Sequence, residues 1–153
     1  MNKFEQASRL ERELMTNLFN QNNVDSFYFT DENGFDREDG YYSATTKTYT
    51  KEIVFEVKNR DVASDKYSTT IIEKDKIDYI LQKGQDTNHQ PYLFFFFNDG
   101  KYMSIKLSKD IYYSTILLDA PITTMGVKRM VEKEFVAFNI QNLQKITKAE
   151  VRI

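Results

Sequence analysis

The sequence predicts a single α+β domain, and three observations lead to that fold class. Apolar residues recur with a helical period near the start of the chain, and short runs rich in aromatic and β-branched residues follow. The 153 residues include ten Tyr and twelve Phe, enough large apolar side chains to build one core without disulfides. We therefore expect one domain over residues 1–153, with a core at about 4–107 and a C-terminal β extension at about 108–153.

The first helix is predicted at 4–20, where Leu14 and Leu18 lie on the apolar stripe. Glu11 falls on the same stripe, one helical turn before Leu14. Two interpretations stay open for this residue. Its carboxylate either lies at the edge of the stripe and reaches water, or it is a buried acid with a function.

A second helix is predicted at 73–83. Gly84 is expected to end it, and a loop is expected at 85–91. Lys76 lies on the side of this helix that faces the core. Because a lysine side chain is long, its ammonium group can reach water from such a position.

Six further segments have the composition and length of strands. They are 26–30, 41–46, 53–58, 92–97, 101–107 and 135–140. The acidic segment 31–40 is predicted to be a loop, residues 47–52 connect one hairpin, and residues 98–100 turn another. The apolar run 111–118 is ambiguous between helix and strand, and residues 141–148 are predicted to form a short closing helix.

The composition excludes several classes of catalyst. The sequence has no Cys and one His, His89. Without Cys there are no thiolate nucleophiles, iron–sulfur clusters or Cys-based zinc sites. A single His would have to serve alone as the base of a Ser-His-Asp triad, and a His-rich zinc site needs several such ligands. Hydrolytic chemistry in this chain would therefore depend on carboxylates and lysines.

Charge and hydropathy limit the partners. The formal net charge is −2, so no global basic field favours nucleic acid, and such a partner would have to meet a local basic patch. No stretch approaches the roughly 20 apolar residues of a membrane span, and the charged and polar residues 1–10 are unlike a signal sequence. We expect a protein of the cytoplasm that has no membrane partner.

The most informative pattern joins a Glu-x-Lys triplet to an upstream acid. In the predicted strand 53–58, the two-residue period places Glu56 and Lys58 on one face. If the hairpin is centred near residue 48, Asp39 lies roughly opposite Lys58 and diagonal to Glu56, within reach of one shared ion. A slip of one residue would favour a different acid. Alone, Glu-x-Lys is a common surface pattern of low specificity.

This grouping meets the chemical needs of phosphodiester hydrolysis. Magnesium and manganese take oxygen ligands, typically one or two carboxylates with water and phosphate. A bound ion lowers the pKa of a water molecule, and a nearby ammonium group can position that water or stabilise the charge that develops on the phosphate. Asp39 and Glu56 would hold the ion, and Lys58 would supply the ammonium group.

The stretch 36–81 resembles PD-(D/E)XK nuclease-like proteins of bacteriophages and mobile elements. The resemblance is carried by Asp-Arg-Glu-Asp-Gly-Tyr-Tyr at 36–42, by Val-Phe-Glu-Val-Lys-Asn-Arg-Asp at 54–61 and by the segment from Tyr67 to Leu81. With the flanking helix and the Phe-rich hairpin, it covers about the first two thirds of the chain. It implies a restriction-endonuclease-like fold, an α/β/α arrangement in which a mixed central sheet lies between helices.

The resemblance also implies roles for individual residues. Glu56 and Lys58 match the catalytic triplet, and Asp39 best matches the motif acid, with Asp36 as the alternate. No proline precedes Asp39, a common departure in the family. Glu11 matches an accessory helical carboxylate that some members use as a metal ligand. The cofactor is expected to be magnesium or manganese.

The expected partner is DNA. In similar proteins, a residue at the position of Lys76 can approach the scissile phosphate. Lys66 can meet a phosphate, and the neighbouring Tyr67 can stack on a base. The resemblance leaves a homodimer open, because such nucleases can pair to break both strands, and the sequence carries no clear trace of oligomer contacts.

Three functions remain open at this point. The first is a magnesium-dependent endo- or exodeoxyribonuclease. The second is a catalytically inactive nuclease-fold protein of a phage or mobile element that binds DNA or a host protein, which the acidic balance favours. The third is an unrelated α+β structural protein in which the triplet is accidental, and there Asp39 and Glu56 would lie far apart.

Overall fold

The structure is a computed structural model that describes residues 3–31, 37–109, 114–121, 129–141 and 143–145. Its elements are helices α1 (Lys3–Gln21) and α2 (Lys74–Thr87) and strands β1 (Val24–Phe29), β2 (Gly40–Thr45), β3 (Thr50–Arg60), β4 (Thr69–Glu73), β5 (Gln90–Phe97), β6 (Lys101–Lys106), β7 (Thr115–Pro121), β8 (Met130–Asn139) and β9 (Gln144–Lys145). Each of the six predicted strands overlaps an observed one, so the α+β prediction is confirmed.

The described strands form two sheets. The larger has the order β1-β2-β3-β5-β6-β9, and the smaller has the order β4-β8-β7. Strands β3 and β5 are parallel, and the other pairs are antiparallel. Parallel neighbours need a crossover connection, and here β4 and α2 supply it. The expected mixed central sheet is confirmed.

Strand β3 lies in the middle of the larger sheet and is buried on both faces. On one face Phe55 packs in a cluster with Met15 of α1. On the other face Val54 packs in a cluster with Ile77 of α2. Each fully buried side chain of this kind stabilises the fold by about 1.5–3 kcal/mol. Because the sheet lies between the helices, alternating residues of β3 reach two different layers.

The C-terminal part of the chain adds to this core. Val136 and Phe138 of β8 belong to the same cluster as Val54, and α2 contacts strands of both sheets. Of the ambiguous run 111–118, residues 115–118 lie in β7. No helix in the described part of the chain is long and apolar enough to cross a bilayer.

Gly84 does not end the second helix, so that prediction and the loop at 85–91 are wrong. Helix α2 continues to Thr87 and ends at Asn88, whose φ of 56° is left-handed. Gly84 is needed for packing, because a Cβ atom there would lie 2.7 Å from the His89 carbonyl oxygen and 3.0 Å from Pro91 Cδ.

Two other segments also differ from the sequence predictions. Residues 144–145 form the edge strand β9 instead of a helix, because they pair with β6 and the Tyr102 hydroxyl donates to Gln144 Oε1. The remainder of the predicted helix, 146–148, lies outside the described residues. Strand β4 was not predicted, since Ile72 appeared to belong to the helical stripe. Ile72 instead pairs with Val136 in β8.

Candidate active site

The hairpin of β2 and β3 sets the position of Asp39. Gly40 pairs with Phe55 and Thr45 with Thr50, so continuing this register brings Asp39 beside Glu56. The expected pairing of Asp39 with Lys58 is therefore wrong by two residues. The reason is that β3 begins at Thr50, three residues earlier than predicted, which leaves only residues 46–49 to connect the two strands.

Asp39 is partly buried, and its backbone and side chain are both bonded. Its amide donates to the Phe55 carbonyl at 3.0 Å, and its own carbonyl accepts from the Thr30 amide at 3.0 Å. Its Oδ2 accepts from the Val57 amide at 2.6 Å. The carboxylate therefore takes the place of a backbone partner of β3, one residue before β2 begins at Gly40. This contact directs it towards β3.

Glu56 and Lys58 lie on the same face of β3 and form an ion pair of 3.0 Å between Lys58 Nζ and Glu56 Oε1. The side chains are 9% and 21% exposed, respectively. The pair therefore lies at the sheet surface in a partly desolvated setting, where charges interact more strongly than in water.

Glu11 reaches the same strand from α1. Its Oε1 accepts from the Asn59 amide at 3.2 Å. Burial raises the pKa of this carboxyl, and the charge of Lys58 and the Asn59 bond only partly offset that effect. Of the two interpretations of Glu11, the contacts therefore favour a partly buried acid directed at β3.

The charges of Asp39, Glu56 and Lys58 are not fully compensated within the chain. Burial, followed by the charge of Glu56, raises the pKa of Asp39 well above its usual range, although the Val57 amide and Lys58 oppose the shift. Burial alone would lower the pKa of Lys58, but the carboxylates of Glu56 and Asp39 outweigh it and raise that pKa above the ordinary value. Lys58 is thus a permanent cation next to an acid that the chain leaves poorly neutralised.

Lys76 of α2 contacts this group. Its pKa is lowered by burial and then by the charge of Lys58, with which its side chain makes a contact, while Glu56 opposes the shift. Lys66 and Tyr67 lie in the connection between β3 and β4, where Lys66 Nζ is 5.6 Å from the centroid of the Tyr67 ring and that ring is 59% exposed. Asp36, the alternate metal acid, lies outside the described residues.

The structure therefore brings together Glu11, Asp39, Glu56, Lys58 and Lys76. Among the residues that the structure describes, no group of three or more His, Cys, Asp or Glu side chains is arranged to hold a metal ion. The three acids affect one another's ionisation but do not form a three-ligand cage. Magnesium commonly takes only one or two protein carboxylates and keeps several waters, so Asp39 and Glu56 are a suitable donor set.

Glu38, for which no role was expected, is buried next to Asp39. Burial favours its neutral form, but hydrogen bonds from Tyr41 and Tyr79 and the charge of Lys83 outweigh burial and lower the pKa. The sequence indicates part of this arrangement, because the spacing of Lys76, Tyr79 and Lys83 places them on one face of a helix. No local pattern in the sequence indicates that this face contacts Glu38.

The sequence gives no match to any protein-family model or to any curated protein. The fold does have known relatives: a mixed sheet, mostly antiparallel and flanked by helices, is the restriction-endonuclease-like fold. One solved structure that shares it is Hjc of Archaeoglobus fulgidus, a Holliday junction resolvase from an archaeal hyperthermophile. The TM-score is 0.56 over 97% of this chain and 98% of that one, with 12% sequence identity. At this identity the likeness establishes the fold alone.

Proposed function

We propose that this chain is a metal-dependent nuclease that hydrolyses DNA phosphodiester bonds. The observation that carries the proposal is the convergence of Asp39 and Glu56 beside Lys58 on adjoining strands of a restriction-endonuclease-like sheet. The third possibility, an accidental triplet, required the two acids to lie far apart. They are instead close enough for the charge of Glu56 to raise the pKa of Asp39.

Each residue of the group has a chemical role in this proposal. Asp39 and Glu56 would hold a magnesium or manganese ion, with Glu11 as an accessory acid near the end of β3. When bound, that ion lowers the pKa of a water molecule and offsets charge on the phosphate. The Lys58 ammonium orients the attacking water or stabilises the developing negative charge. Lys76, whose side chain contacts Lys58, would meet the same phosphate.

DNA is proposed as the substrate, and a branched form is the natural first choice because the structural neighbour is a Holliday junction resolvase. Lys66 and Tyr67 are proposed contacts for the flanking backbone and for a base. A phage or mobile-element origin and a possible homodimer stay parts of the proposal, supported by the sequence resemblance. Single-domain organisation and a cytoplasmic location also stay parts of it, supported by the length and the composition of the chain.

The test is cleavage of defined DNAs. Linear duplex, circular duplex, single-stranded DNA and a four-way junction are incubated with the protein in magnesium, manganese or chelator. We expect metal-dependent cutting of at least one of them. Lys58→Ala should slow it by about 10²–10³-fold, the effect of removing one group that stabilises developing charge. Folded protein that cuts none of these DNAs would count against the proposal.

Glu56→Gln has a matched control on the same strand. Glu52 lies four residues earlier on the same face of β3 and is exposed, with one carboxylate oxygen 3.8 Å from His89 Nε2. Glu52→Gln should therefore cut normally while Glu56→Gln does not. Equal loss of cutting in both variants would remove the special role of Glu56.

A second candidate, a nuclease-fold binding protein without catalysis, has two observations in its favour. The described acids do not form a three-ligand metal cage, and Glu56 is already paired with Lys58. This candidate predicts no calorimetric signal with magnesium or manganese, and DNA or protein binding that survives Glu56→Gln. The nuclease proposal predicts a calorimetric signal with magnesium or manganese, and an activity, DNA cutting, that Glu56→Gln abolishes.

A further inference from the structure

The Glu38 side chain is fully enclosed, with 0% of its surface exposed. Its Oε2 accepts from the Tyr41 hydroxyl, its Oε1 accepts from the Tyr79 hydroxyl at 3.0 Å, and Lys83 Nζ lies 3.5 Å from Oε2. A buried carboxylate is costly unless donors surround it, and here they come from both β2 and α2. Glu38 therefore joins the start of β2 to that helix.

The backbone around Glu38 is also bonded. Thr30 Oγ1 donates to the carbonyl of Glu38 at 2.6 Å, and it lies 3.2 Å from the carbonyl of Asp39. The Thr30 amide donates to the same Asp39 carbonyl. Movement of Glu38 would thus be transmitted directly to Asp39, its neighbour in the chain.

Helix α2 directs three residues towards Glu38 and the candidate active site. Lys76, Tyr79 and Lys83 are spaced three and four residues apart, so they lie along one face of the helix. Tyr79 and Lys83 bind Glu38, while Lys76 contacts Lys58 in the candidate active site. The position of Lys76 over β3 is therefore linked to the attachment of the helix at Glu38.

We propose that Tyr79 and Lys83, acting through Glu38, are positioning residues that hold Asp39 and Lys76 in place relative to each other at the active site. The catalytic meaning of this inference rests on the proposed nuclease function. The structural part does not, because it concerns the hydrogen bond from the Val57 amide to Asp39 Oδ2. That bond can be measured whether or not the protein cuts DNA.

The first experiment measures amide hydrogen exchange in Tyr79→Phe, with Tyr49→Phe as the control because Tyr49 is 57% exposed in the β2–β3 turn. Loss of the Tyr79 hydroxyl should speed exchange at the Val57 amide by about tenfold or more relative to Phe95 in the neighbouring strand β5. Lys83→Met should also speed exchange at the Val57 amide, and Lys83→Arg, which keeps the positive charge, should leave that exchange as slow as in wild type. Unchanged exchange at Val57, or equal acceleration at Phe95, would overturn the inference.

The second experiment measures kinetics on the DNA that the wild-type protein cuts best. Tyr79→Phe should lower kcat by about tenfold with little change in KM, since misplaced supporting groups typically cost 10–100-fold in activity. An unchanged kcat would refute the catalytic link. If wild-type protein cuts no DNA, the proposed function fails, and the exchange measurement still decides whether Glu38 positions Asp39.

Discussion

Glu38 and Asp39 are consecutive acids that have opposite electrostatic environments. Glu38 is enclosed by two tyrosine hydroxyls and a lysine, so its pKa falls although burial opposes this. Asp39 receives one amide hydrogen bond but lies near Glu56 and Glu11, so burial and like charges raise its pKa. The chain itself neutralises the first acid and leaves the second in need of a cation.

This difference separates a structural carboxylate from a candidate functional one. Burial does not distinguish them, because both acids are removed from much of the solvent. The decisive quantity is how completely the surrounding donors satisfy the charged form. Groups with perturbed pKa values in the disfavoured direction concentrate at functional sites, and Asp39 fits that pattern while Glu38 does not.

The largest expected effect follows from changing Asp39 to Asn. In metal-free protein this change should leave Tm unchanged or raise it, because it removes a charge that is poorly compensated. It should also abolish metal-dependent cutting. Wild-type protein should gain about 2.7 kcal/mol of stability when magnesium is at 100 times its Kd. Asp39→Asn should gain none, and thermal melts with and without magnesium measure both.

The same acid-to-amide change at Glu38 should have the opposite effect on stability. Glu38→Gln replaces the charged acceptor of Tyr41, Tyr79 and Lys83, and hydrogen bonds to charged groups contribute about 1.5–3 kcal/mol. A loss of about 2 kcal/mol lowers Tm by about 4–8 °C in a chain of this size. Glu52→Gln is the exposed control. If Glu38→Gln protein is as stable as wild type, Glu38 and Asp39 do not differ in how well the chain satisfies their charges.

The pH dependence of stability should differ in sign between the two acids. Glu38 has a folded pKa below its ordinary value of 4.5, so its stabilisation is present above that pH and is lost as the pH falls through the folded pKa. The folded pKa of Asp39 lies above its ordinary value of 3.8. Its favourable contribution is therefore present below pH 3.8 and is lost as the pH rises through the folded pKa.

Denaturant unfolding of wild type, Glu38→Gln and Asp39→Asn from about pH 3 to pH 7 tests these signs. Near neutrality wild type should be more stable than Glu38→Gln, and in metal-free buffer it should be no more stable than Asp39→Asn. Both differences should shrink in acid. If both variants are destabilised alike at pH 7, the two carboxylates are equally well satisfied.

The parts of the site that the sequence could predict depend on short-range rules. The two-residue period of a strand puts Glu56 and Lys58 on one face, and the structure shows that arrangement. The hairpin register was harder to predict, because the turn lacks the Gly, Asn or Asp that usually marks one. Thr46 instead closes it, with Oγ1 donating to the Tyr49 carbonyl at 2.9 Å.

Long-range contacts account for the remainder. Tyr79 lies 41 residues from Glu38, so the enclosure of that carboxylate depends on how α2 packs on the sheet. The unpredicted strand β4 similarly depends on β8, more than sixty residues later in the chain. Local periodicity does not encode such pairings, which is why the sequence could suggest the metal acids but not the residues that support them.

The smallest expected effect concerns Lys76, the cationic counterpart of Asp39. Its pKa is lowered by burial and by Lys58, so its charge, like that of Asp39, is poorly satisfied in the metal-free chain. Lys76→Met should therefore cost little stability. If Lys76 contacts a phosphate, the change should weaken DNA binding and reduce the slope of log K against log salt by about 1.

Lys74→Met is the control two residues earlier, because Lys74 is exposed and pairs with Asp78 at 2.7 Å. Equal slopes for wild type and Lys76→Met would show that Lys76 does not contact the DNA backbone.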